Sequence, residues 1–123
     1  MRYDTVFLAL GATYLLIGMV LGIAMGVAED FAFASVHAHV NLVGWTSHAI
    51  FGLAHRGWPQ LAQSRLAPLH FWLFVLAAPV FMIGVYLAAS GRSHALVGIG
   101  ALGLVIAVIV FCAMAWRLCR KEA

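Results

Sequence analysis

Apolar residues fill the chain in four long runs, and the polar breaks between them predict the elements. Glu29-Asp30 closes the first run, Gly57-Trp58-Pro59 and Gln63-Ser64-Arg65 close the second, and Ser90-Gly91-Arg92-Ser93 closes the third. Strand-like alternation is absent, and the runs are of the ~20-residue length that a spanning helix needs. They predict helices over about 4–28, 34–56, 67–90 and 94–117, within a single transmembrane domain covering 1–123. Ser35 is the expected N-cap of the second helix. Pro68 suits the first turn of the third, and Pro79 predicts a kink inside it.

Composition turns these helices into membrane helices. With 65% hydrophobic and 9% charged residues and a mean hydropathy of +1.04, the chain cannot cover itself with charge. A water-facing surface needs roughly 25–35% charged residues. The expected fold is therefore an all-α integral membrane protein, a four-helix transmembrane bundle whose main partner is the lipid bilayer. Basic residues lie at run ends, so they report orientation rather than nucleic acid. Arg2, Arg56, Arg65, Arg117, Arg120 and Lys121 fall on one side of four crossings and Arg92 on the other. That asymmetry predicts a multi-pass protein of the bacterial inner membrane with both termini cytoplasmic.

Small residues mark surfaces for close approach. Gly18, Gly22 and Gly26 repeat every fourth position in the first helix, and Gly98, Gly100, Gly103 and Ala107 populate the fourth. Such faces admit another helix, including one from a second copy of the chain. Cys112 and Cys119 have no metal-binding spacing and are expected to be reduced and buried.

The chemistry concentrates in the second helix. His37, His39, His48 and His55 all lie there, in a segment otherwise apolar enough to span a bilayer. An ionisable side chain at that depth is a functional-site hypothesis by default. At ~100° per residue, His37 and His39 diverge by about 200° and face different neighbours. His48 and His55 return to within about 20° of the His37 stripe, which also carries Asn41 and Gly44. Gly44 leaves a flat gap that suits a porphyrin edge or a close helix, and Trp45 adds an aromatic wall. His55, beside Arg56, and His70, one turn into the third helix, read as boundary histidines with structural roles. His94, at the outer start of the fourth helix, is a further candidate ligand at the depth of His37 and His39. Zinc would want four ligands, and few lie nearby. Haem needs one or two axial histidines and an apolar slot between helices.

The motif His37-Ala38-His39-Val40-Asn41-Leu42 resembles the His-x-His motif of the haem–copper oxidase and nitric-oxide reductase catalytic subunits. Leu66-Ala67-Pro68-Leu69-His70-Phe71-Trp72-Leu73 is similar to a helix opening in the nitric-oxide-reductase and cbb3-like branches. The resemblance covers roughly 34–87 and implies haem b, with His37 and His39 as axial ligands of the iron; helix geometry adds Gly44 and Trp45 beside the group and His94 and His48 as weaker candidate ligands. Copper is a weaker alternative. It also implies one four-helix arc of a subunit built from three, hence a homo-oligomer, with a trimer preferred to a dimer, and a redox partner. The expected work is electron transfer or binding of NO or O2. As an isolated chain it is not expected to be an enzyme, and if it were one it would be an oxidoreductase acting on those gases. The competing readings are a cofactor-free structural or assembly subunit of a respiratory membrane complex and a copper- or zinc-binding membrane protein.

Overall fold

A computed structural model of the chain describes residues 2–122. Among them the structure is helical throughout, without strands. The elements are α1 (Tyr3–Ala28), α2 (Ala34–His39), a π-helical segment (Val40–Ser47), α3 (His48–Gly57), the one-turn α4 (Pro59–Ala62), α5 (Ala67–Ala89) and α6 (Ala95–Glu122). His39, Ser47 and His48 keep right-handed helical dihedrals, so α2, the π segment and α3 form one continuous rod.

Among the described residues three helices, α1, α5 and α6, are long and apolar enough to cross a membrane. Their outward faces carry Leu16, Ile23, Val27, Leu76, Ile99, Leu102 and Ile109 in the open. A continuous apolar surface of this kind is stable against lipid and unstable against water. The chain is thus built as a membrane protein. Cys112 and Cys119 belong to that outward surface, which corrects the expectation that they are buried. A small thiol on a lipid-facing helix needs no polar partner, so lipid exposure satisfies it as well as burial does.

Packing divides the molecule into two close pairs, α1 with the rod and α5 with α6. Glycines set both distances. A methyl group at Gly84 would land on the backbone of Leu96 and Val97, and one at Gly100 on the backbone of Phe81. Gly18 lies under the Asn41 amide and Gly22 under the His37 ring. These glycines are therefore used inside the chain, while Gly26 and Gly98 have open space around them. Phe7, Val40, Phe51, Phe71, Phe74, Ala78, Met82 and Ala107 form the shared core where the two pairs meet.

Local chemistry explains the element ends. Glu29 closes α1 in the left-handed conformation (φ 52°), which lets Glu29 N–H donate to Gly26 O and Asp30 N–H to Met25 O. Pro68 opens α5 as expected, and α5 runs on through Pro79. Ser35 is not the N-cap of the rod; Phe33 holds that position without a side-chain cap, and Ser35 instead lends its carbonyl to His39. Asp4 pairs with Arg2 at 3.3 Å and with Arg56 at 3.2 Å, fastening the start of α1 to the end of the rod.

The π segment has a local cause. Asn41 Nδ2 donates to His37 O at 2.8 Å and takes up a carbonyl that an α-helical ladder would use. Ser47 Oγ then donates to Leu42 O at 2.9 Å and His48 Nδ1 to Val43 O at 3.1 Å, each five residues back. Wider π turns bring those carbonyls within reach of the side chains above them.

If backbone approach at the glycines sets the α5–α6 distance, Gly84→Ala and Gly100→Ala should each cost about 1–3 kcal/mol. Gly98→Ala, with nothing within 4 Å of the added carbon, should be nearly neutral. Thermal unfolding in detergent, followed by helical circular dichroism, measures all three.

Candidate functional site

A neutral imidazole has one nitrogen that donates and one that accepts. A backbone carbonyl only accepts, so a ring nitrogen held against it must carry the proton. The histidines of α2, α3 and α5 all adopt this arrangement. Nδ1–H donates to Gly18 O from His37 (3.0 Å), to Ser35 O from His39 (2.7 Å) and to Val43 O from His48 (3.1 Å). It donates to Phe51 O from His55 (2.8 Å) and to Ala107 O from His70 (3.0 Å). In each ring the lone pair is thereby assigned to Nε2. The same Nδ1–H to carbonyl bond orients the imidazole in protein metal sites and raises its basicity as a ligand.

Three of these rings are sealed from water. His48 and His70 are 0% exposed and His55 is 3% exposed, and Nε2 of each has no hydrogen-bond partner. A buried acceptor left without a donor costs roughly 1–3 kcal/mol. Three such atoms around one core call for a partner, an ordered water or a bound group.

The three rings surround Phe7. Its ring centre lies 5.7 Å from His48, 5.7 Å from His55 and 5.6 Å from His70. His55 and His70 are 6.0 Å apart with their planes within 6° of parallel. Phe51 closes the space against His70 at 4.6 Å, and Phe111 at 5.1 Å. Tyr3 stands 5.9 Å from His55. His48 lies two turns of α3 before His55, roughly 10 Å along the axis, between Tyr14 and Phe74. Among the described residues no three His, Cys, Asp or Glu side chains converge on one ion position. The cluster therefore holds one close pair of rings, His55 and His70, and a third set apart.

The residues that the sequence singles out lie elsewhere or have other neighbours. His37 is half-buried over Gly22, and His39 is half-buried with its ring edge on Phe81 at 5.1 Å. His94 is exposed. No ring contact or hydrogen bond joins His37, His39 and His94 among the described residues. The divergence of His37 and His39 holds: one faces α1 and the other α5. Of the two uses open to Gly44, a close neighbour is the one observed, because Tyr14 lies where its methyl group would sit. Trp45 covers Gly11. Three apolar grooves, of about 370 Å³ beside α5 and α6, about 470 Å³ along α1 and about 290 Å³ beside α1, the rod and α5, are lined by no histidine, whereas His55 lines a more polar recess of about 400 Å³ with Arg2, Asp4 and Arg56.

His55 and His70 are the residues that sequence reasoning passed over. The signal available was the two-turn spacing of His48 and His55 on one stripe. The missing information was tertiary: α6 must come close enough for Ala107 O to receive His70, which its small, fully buried side chain allows. No family model, curated protein or solved structure matches the chain.

His70→Phe separates the two roles an imidazole can have here. If the Nε2 atoms serve only packing, removing one should leave stability within about 1 kcal/mol or raise it, since an unpaired acceptor disappears. If they are ligands, the variant keeps its fold and loses the bound group. Unfolding and metal content measured on one preparation read both.

Proposed function

We propose that this chain is a four-span haem b protein of the bacterial inner membrane that works in electron transfer or in binding NO or O2. The observation that carries the proposal is the set of three buried Nε2 lone pairs on His48, His55 and His70, each made ligand-ready by an Nδ1–H bond to a carbonyl. Haem fits the donor set: it takes neutral imidazole nitrogen, an apolar surround and no carboxylate. Bound iron supplies one-electron transfer when two imidazoles hold it and gas binding when one position stays open.

His55 and His70 are the first choice of holding residues, because their ring centres lie 6.0 Å apart and both Nε2 atoms are buried without a partner. His37 and His39 are the pair that the resemblance implies, and they share the same tautomer. The chain's own part is to fix ring direction through the carbonyls and to keep water out with Phe7, Phe51 and Phe111. The likeness to the haem–copper oxidase catalytic subunit enters through the His37-Ala38-His39 and Pro68-Leu69-His70 motifs alone.

The continuous rod is the proposed fourth span. Its end meets the start of α1 through Arg56 and Asp4, and Arg65, Arg117 and Arg120 line one recess at the same end of the α5–α6 pair. Placing that basic end in the cytoplasm puts both termini there. Association into a trimer is carried by the single-arc resemblance. Gly18, Gly22, Gly100 and Gly103 do not support it, since they meet neighbours within the chain.

A second reading, a copper or zinc ion without porphyrin, is favoured by one observation. Aromatic rings pack against the His55–His70 pair from several sides, which suits an ion better than a macrocycle.

The test is the absorption spectrum and metal content of the protein purified from native membranes. Haem predicts a Soret band and sharp reduced α and β bands, with His55→Ala and His70→Ala losing most of the signal and His94→Ala keeping it. A colourless protein holding one copper or zinc per chain supports the second reading. A colourless, metal-free protein overturns both.

A further inference from the structure

At the end of the α5–α6 pair, the one-turn α4 leans on α6 and leaves a recess of about 620 Å³. Three guanidinium groups line it, from Arg65, Arg117 and Arg120. The ion pairs among the described residues engage Arg2 and Arg56 with Asp4 and none of these three. Arg117 and Arg120 are three residues apart on α6 and share a face, so their like charges repel without an anion between them. Ser64 and Gln63 add neutral polar groups to the same rim.

We propose that this recess binds the phosphate of an anionic phospholipid headgroup. Depth is the first argument. The apolar run of α6 gives way to Arg117 and Arg120 and α5 begins at Ala67, so these arginines stand where two apolar helices give way to polar sequence, at the depth of the headgroup layer. Trp116, 67% exposed on α6, marks the same interface. The lining is the second argument. Beneath the arginines lie Leu61 and Met114, 4% and 2% exposed, and Ile106 and Ile109 farther down α6 face outward into the acyl region. A soluble phosphate has no use for that apolar continuation, whereas a lipid places its chains along it. Guanidinium forks match phosphate oxygens in pairs, and basic pockets between membrane helices favour anionic headgroups over zwitterionic ones. The site is independent of the histidine cluster and of any group held there.

Native mass spectrometry of the full chain, released from membranes of equimolar phosphatidylglycerol and phosphatidylcholine, tests the proposal. The expected result is selective retention of phosphatidylglycerol. Arg117→Gln with Arg120→Gln should weaken that retention on the order of thirtyfold, and Arg92→Gln, at the opposite end, should leave it unchanged. If the double variant fails to insert, Arg65→Gln alone should weaken it about fivefold. Equal retention of the two lipids, arginine variants that retain phosphatidylglycerol like the parent, or displacement of the lipid by inorganic phosphate would each overturn the proposal, the last by making it a soluble-anion site.

Discussion

Imidazole buried away from water must place two nitrogens, and a helical interior offers chiefly one kind of partner, the carbonyl oxygen. That constraint organises this molecule. Each helical histidine gives Nδ1–H to a carbonyl, from its own helix for His39, His48 and His55 and from a neighbouring helix for His37 and His70. Every such bond leaves the second nitrogen basic and, for three rings, unpartnered. Three unpartnered acceptors around one phenylalanine are the observation on which the proposed ligand role rests.

The rest of the fold follows from keeping those rings in place. Asn41, Ser47 and His48 draw carbonyls away from the α ladder and hold the rod in π register, so His48 reaches Val43 O. Glycines let α1 lie under the rod and α5 against α6, and the close α5–α6 contact carries Ala107 O to His70. Phe7, fully buried, packs against all three rings and couples the α1–rod pair to α5. At the periphery the demands relax: large apolar side chains face lipid, and charge collects at the helix ends.

Much of this was legible in the residues. Four apolar runs with their breaks gave the helices to within a few positions, because hydrophobic length and Pro or Gly placement act locally. The face shared by His37, Asn41, Gly44 and His48 followed from helical periodicity. What stayed hidden depends on contacts between helices. His55 and His70 look like boundary residues until α6 covers one and Phe7 the other. The π segment needs the competition of Asn41 for a carbonyl, which no propensity scale records. Gly44 illustrates the ambiguity: flatness was predictable, and its occupant, Tyr14, was not.

Nitrogen-15 magnetic resonance of histidine-labelled protein in lipid measures directly which ring nitrogens carry protons. At neutral pH His48, His55 and His70 are predicted to carry their proton on Nδ1, with Nε2 unprotonated. An Nε2–H tautomer, or a doubly protonated ring, at any two of the three positions would contradict it.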